Sequence, residues 1–259
     1  MAPYTKIAVT QVQKTLRLAG YRLVRSKYLN KDGLPIDYTP DEIQVIRTVA
    51  PYTRTSPERI QALVQAIAYI AGADIPGAFV ECGVWKGGSM MAVASTLKRL
   101  GQTGRDLYLF DTFEGMTAPT ELDRSLHGQT AAQMMAETQP NAENIWALAP
   151  LDEVRKNMAS TGYPADRIHY KQGKVEDTLP GEAPDQIALL RLDTDWYEST
   201  RHEMEHLFPR LVPGGVLIVD DYGHWEGSRR AVDEYVEQHG LRLLFHRMDY
   251  SARLAIKQG

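Results

Sequence analysis

One cysteine, Cys82, in 259 residues excludes an intramolecular disulfide framework and makes a reducing, cytoplasmic compartment the expectation. There is no run of about 18 apolar residues and no leader with a defined apolar centre, so no integral membrane segment is expected. A basic excess is also missing. The formal net charge is −4, which gives no support to a nucleic-acid partner and favours a small molecule. Internal repeats and low-complexity stretches are absent. What is present is enough apolar material, 43% of the chain, to bury a full core. The simplest division is an N-terminal helical cover, residues 1–75, before one α/β domain, residues 76–259.

The first 31 residues carry Lys6, Lys14, Arg17, Arg22, Arg25, Lys27 and Lys31 before the first acid, Asp32. Val12, Leu16 and Leu23 give this segment an apolar stripe that can pack on the body or on a second subunit, so a homo-oligomer is expected. Short and long helices are expected over 40–49 and from Ser56 to Gly72, the second with Pro57 in its first position. Strand and helix then alternate: strands over 78–81, 107–110, 168–171, 187–192 and 216–219, with helices over 89–100, 151–160 and 228–239 between them. Two last strands, 241–247 and 253–257, are joined by a link too short for a parallel return and must form an antiparallel hairpin. The pattern predicts a doubly wound, mostly parallel seven-stranded sheet with an antiparallel C-terminal strand and ligands at the carboxyl ends of its strands. Residues 115–150 exceed the usual connection length and read as an insertion over that edge. Glu121, Asp123, His127 and Trp146 are its candidate residues.

Four aspartates follow two buried-looking runs: Asp193 and Asp195 in LLRLDTDWYES, Asp220 and Asp221 in GGVLIVDDYG. A strand, helix, strand order puts both runs side by side and ends them at one edge of the sheet. Carboxylates gathered there raise one another's pKa unless a hard divalent cation binds them. Helix capping and loop solvation are the other uses of such acids.

The segment FVECGVWKGGSMM runs from strand through a glycine turn into helix, with Glu81, Gly83, Gly87, Gly88 and Ser89 in order. Glycines admit a ligand to the backbone and a helix start offers free amides. The spacing is neither the dinucleotide G-x-G-x-x-G nor a phosphate loop. An acid before the turn repels a pyrophosphate and suits a ligand bearing an ammonium group, such as S-adenosylmethionine. Asp111, followed by Thr112, ends the next strand, where an acid accepts from ribose hydroxyls.

In VECGVWKGGS, LFDTFEGM, VRKNM followed by GYP, KQGKVEDTLP, LRLDTDWYEST and LVPGGVLIVDDYG the chain resembles the macrocin O-methyltransferase family over residues 50–259. The resemblance implies a Rossmann-like fold, S-adenosylmethionine as methyl donor and a divalent ion, usually Mg²⁺. It implies an acceptor hydroxyl on a sugar or glycosylated natural product, with a catechol or phenol as the alternative. Carried over by position, it implies Glu81, Gly83, Gly87 and Ser89 around the donor's methionine part, Asp111 and Thr112 at its ribose and Gly173 near its adenine. Asp193, Asp220 and Asp221 match metal ligands, with Asp193 and Asp195 at the chemistry and Asp195 as base. Some relatives carry a catalytic histidine where this chain reads ETQPNAENIWALAP; His127, earlier in the chain, is the other candidate base.

Trp196 and Tyr197 are expected either to wall the acceptor pocket or to sit in the core. His202-Glu203-Met204-Glu205-His206 satisfies H-E-x-x-H, the signature of zinc peptidases. At 100° per residue the two histidines point about 160° from Met204, away from the apolar stripe, which argues against a cleft. A donor-fold binding module and an NAD-dependent oxidoreductase are disfavoured, the first by the intact acid clusters and the second by the glycine spacing and Glu81.

Overall fold

The computed structural model describes residues 12–18 and 26–259. Lys6, Arg22 and Arg25 of the basic segment, and Leu23 of its stripe, lie outside the described residues. Residues 12–18 are helical, with Val12 and Leu18 exposed. The chain divides into two units, Met1–Ile43 and Gln44–Gly259. In the first, Leu29 bridges Pro35 around a turn in which Asn30 Oδ1 accepts from Asp32 and Leu34. No helix of the described residues is long and apolar enough to cross a membrane.

Helix α1, Pro40–Val49, is followed by α2, Pro57–Gly72. Ser56 caps α2 by accepting from Arg59 N, with Pro57 in the first turn, the position where its missing N–H costs nothing. Then come β1 (Ala78–Cys82), α3 (Gly88–Arg99), β2 (Leu107–Asp111), α4 (Ala131–Ala136), α5 (Leu151–Ser160), β3 (Ile168–Gln172) and α6 (Val175–Thr178). The chain continues through β4 (Ile187–Leu192), α7 (Tyr197–Leu207), β5 (Leu211–Val219), α8 (Glu226–Gln238), β6 (His246–Arg247) and β7 (Arg253–Ile256).

The seven strands lie in the order β3-β2-β1-β4-β5-β7-β6, with β7 antiparallel to both of its neighbours and the remaining pairs parallel. Strands β1 and β4 are buried along their whole length, as continuous apolar runs covered by helices on both faces must be. Helices α2, α3 and α5 pack together, as do α6, α7 and α8. Val80, Cys82, Leu190 and Leu192 meet Met204, Leu207 and Val232 in one core. Strand order reverses between β1 and β4, which opens a crevice at the carboxyl ends of the sheet. The parallel register brings Gly83, Asp111, Gly173, Asp193 and Asp220 to that one edge.

One expectation is corrected. Residues 241–247 are not a full strand: only His246 and Arg247 pair, with Leu254 and Arg253. Leu241, Leu243 and Phe245 do pack against the core while Leu244 is exposed. Their alternation thus records burial, but their backbone is not paired with β7, and Lys257 N turns instead to Gly215 O.

Candidate active site

At the crevice lies a cavity of about 430 Å³, lined by Gly83, Ser89, Asp111, Thr112 and Gly173 together with Asp193, Asp195, Asp220 and Asp221. A volume of this order suits a small organic ligand. The glycine turn is built for contact. Gly83 has φ +81°, and a Cβ there would stand 2.1 Å from Asp193 O. A Cβ at Gly88 would meet Tyr52 O at 2.5 Å, while Gly87 takes the left-handed conformation that opens α3. Replacing Gly83 by Ala is expected to lower the melting temperature by several degrees and to weaken S-adenosylhomocysteine binding at least tenfold, because the loops after β1 and β4 must separate. Calorimetric titration beside a melting curve checks both effects.

Asp111 fastens this turn to the loop after β2. Its Oδ2 accepts from Val84 N at 2.6 Å and Trp85 N at 3.1 Å, and its Oδ1 from Phe113 N at 2.7 Å. Burial pushes its pKa up and these amides pull it down. Glu81 lies behind the cavity wall, buried, with Oε1 on Arg191 Nη1 at 2.6 Å. Its Oε2 has no partner. Burial raises the Glu81 pKa to about 7 against the pull of Arg191. A buried acceptor without a donor is costly, and a ligand ammonium is the kind of group that relieves it.

The carboxylates are organised by two arginines that are not among the residues expected at the site. Arg191, the last residue but one of β4 and buried, donates to Glu81, to Asp193 Oδ2 at 2.7 Å, to Asp220 Oδ1 at 2.5 Å and to Thr55 at 3.0 Å. Arg59, from α2, pairs with the other oxygen of Asp220 and with Asp249 at 2.7 Å. The signals were present: Arg191 interrupts the apolar run of β4, and Arg59 lies four residues before Leu63 on the buried stripe of α2.

Carboxylate oxygens of Asp193, Asp195 and Asp221 lie within 4.8 Å of one another. Asp195 has the left-handed φ of +68°. Burial, and then the neighbouring acids, push the Asp193 and Asp221 pKa values well up, and that of Asp195 to about 7. Glu81, Asp193, Asp195, Asp220, Asp221 and Asp249 thus gather around the guanidiniums of Arg59 and Arg191, with Arg54 also lining the cavity. An all-oxygen, anionic donor set of this kind fits a hard divalent cation. Asp220 departs from the expected grouping, since both of its oxygens are engaged by arginines.

Of the expected aromatic walls, Trp196 is core. It stacks edge-on against Trp225 at 5.0 Å and donates to Thr117 O. Neither Trp196 nor Tyr197 lines the cavity, whereas Trp225, Tyr250 and His224 do. Insertion residues Met116, Met134 and Ile145 line it as well. His127 is exposed and Trp146 half-buried, neither of them at the cavity, and Glu121 is exposed. Asp123 is buried and caps α7 by accepting from Tyr197 N at 2.8 Å.

Comparison with known proteins places this geometry in context. The chain is 34% identical over 190 residues to the 8-demethyl-8-(2,3-dimethoxy-alpha-L-rhamnosyl)-tetracenomycin-C 4'-O-methyltransferase of Streptomyces olivaceus, covering 73% of this chain and 69% of the relative. It is 30% identical over 194 residues to the mycinamicin III 3''-O-methyltransferase of Micromonospora griseorubida, covering 75% and 73%. Among solved structures, the O-methyltransferase NovP superposes with a TM-score of 0.71 at 25% identity, covering 91% of this chain and 89% of that one. The family model described as Macrocin-O-methyltransferase (TylF) matches residues 42–254. That match takes in all of β1 through β6, the glycine turn and both aspartate pairs, so the chain belongs to the macrocin O-methyltransferase family and is an S-adenosylmethionine-dependent O-methyltransferase.

Proposed function

We propose that the enzyme methylates a hydroxyl of a sugar carried by a natural product, with Mg²⁺ held at the aspartate cluster. The observation that carries this reading is the convergence of Asp193, Asp195 and Asp221 in a cavity that the adjoining Gly83 turn also lines. Relatives named for a rhamnosyl-tetracenomycin and for mycinamicin III support a glycosylated acceptor. The apolar Met116, Met134, Ile145 and Trp225 suit the less polar body of such a molecule.

In this reading the methionine part of the donor lies along Gly83 and Ser89, with Gly87 shaping the turn and the Glu81 carboxylate behind the wall attracting the ammonium. Asp111 and Thr112 serve the ribose and Gly173 the adenine. Asp193 and Asp221 hold the cation, being common to the expected ligand set and to the observed cluster. Asp195 completes the cluster as it stands, whereas Asp220 must give up an arginine to enter it. When bound, the cation supplies Lewis acidity that lowers the pKa of a hydroxyl and fixes its position. Asp195, beside Asp221 in the cluster, is the carboxylate placed to take the hydroxyl proton. Bound at the Gly83 turn, S-adenosylmethionine would supply the methyl group, its S–C bond breaking as the O–C bond forms and S-adenosylhomocysteine leaving. Arg59 and Arg191 hold the acids in place.

The test is transfer of radiolabelled methyl from S-adenosylmethionine, with Mg²⁺, to a panel of glycosylated metabolites and simple catechols. Labelled glycosides support the reading; label confined to catechols overturns the acceptor class.

A pH effect follows for the metal-free protein. Glu81 and Asp195 have ordinary pKa values of 4.5 and 3.8, and both rise to about 7 in the fold. Between those limits the folded chain binds more protons than the unfolded one, so their contribution to stability is full at low pH and is lost as pH rises towards 7. Melting curves in EDTA should therefore show wild type losing stability relative to Asp195→Asn between about pH 4 and pH 7. A constant difference would contradict the assignment.

A further inference from the structure

The H-E-x-x-H segment on α7 is split by the fold. Glu203 is fully buried and accepts from Thr194 Oγ1 at 2.9 Å, so the residue that a zinc peptidase needs as its base is turned into the core, and the peptidase reading falls. The two histidines stay on the half-exposed face with Glu205. One ligand atom from each of His202, Glu205 and His206 lies within 4.8 Å of the others, and the imidazole rings are 4.3 Å apart.

We propose that His202, Glu205 and His206 form a second cation site, selective for a transition metal and occupied by Zn²⁺. Two imidazoles one helical turn apart and one carboxylate make a three-ligand set for a tetrahedral ion, with solvent in the fourth position. Imidazole favours Zn²⁺ over Mg²⁺, so the two sites of the chain sort metals by donor type. A second observation points the same way. His202 Nε2 faces Leu179 O at 3.3 Å, a carbonyl that can only accept, so Nε2 carries the proton and Nδ1 keeps its lone pair. A backbone carbonyl behind a ligating histidine is the usual arrangement that fixes its tautomer. Glu205 gives Oε1 to Arg201 Nη1 at 2.6 Å, which leaves Oε2 for an ion. None of the three residues lines the cavity. His206 lies nine residues along α7 from Tyr197, about 13 Å of helix rise.

The experiment is calorimetric titration of ZnCl₂ into the full chain, free of any polyhistidine tag, in excess Mg²⁺. The expected result is one Zn²⁺ per chain at micromolar affinity, with a raised melting temperature. Affinity should fall at least about tenfold in His206→Ala and in His202→Ala, both with unchanged far-ultraviolet circular dichroism. Asp221→Asn should bind Zn²⁺ as wild type does. Absence of Zn²⁺ binding, affinity unchanged by either histidine substitution, or loss of the Zn²⁺ site in Asp221→Asn would each overturn the proposal.

Discussion

Asp221→Asn is expected to reduce methyl transfer by at least about 10³-fold while leaving S-adenosylhomocysteine affinity within about threefold. A thousandfold loss corresponds to about 4 kcal/mol of transition-state stabilisation, the scale of a Lewis acid's contribution. Asparagine keeps the shape of the residue and removes the anionic oxygen that neighbours Asp193 and Asp195. The donor wall, built from the turns after β1 and β2, is untouched. Product formation measured beside calorimetric S-adenosylhomocysteine binding separates the two effects; parallel losses would place Asp221 in donor binding. Asp220→Asn sharpens the assignment through Mn²⁺ affinity. Retained affinity with reduced stability makes Asp220 a support for Arg59 and Arg191, and lost affinity makes it a ligand.

The largest expected effect on stability belongs to Arg191→Met. The guanidinium is buried and contacts Glu81, Asp193, Asp220 and Thr55. Methionine fills much of the space but leaves three carboxylates without their shared cation. Breaking a buried pair in this one-sided way costs about 3–5 kcal/mol, which in a chain of this size corresponds to a melting temperature lower by about 10 °C. Arg191→Lys should rescue little of it, since one ammonium cannot reproduce the planar fork that meets several acceptors at once. Urea unfolding reads the difference. A loss below about 1 kcal/mol would mean that water already screens the cluster.

The strands 187–192 and 216–219 were legible because buried parallel strands are written as unbroken apolar runs, and the acids that end them were legible because nothing apolar explains them. The glycine turn was legible for a related reason: Gly83 and Gly88 stand where any side chain would strike backbone. What escaped was long-range. Arg59 reaches Asp220 across 161 positions of sequence, and no local pattern names that partner. The alternation of Leu241, Leu243 and Phe245 is a sound record of burial that carries no information about backbone pairing. Trp196 and Trp225 are alike in sequence terms, each opening a helix beside an aspartate pair. The insertion gives Thr117 O to the Trp196 indole, while Trp225 lines the cavity.

The central claim is that methyl transfer depends on a divalent cation held by these aspartates. Its most direct test is the rate of labelled-methyl transfer to a glycosylated acceptor by enzyme stripped with EDTA, before and after addition of Mg²⁺. The account predicts turnover that vanishes on stripping and returns in full with Mg²⁺ in wild type but not in Asp221→Asn. Undiminished turnover in EDTA would contradict it.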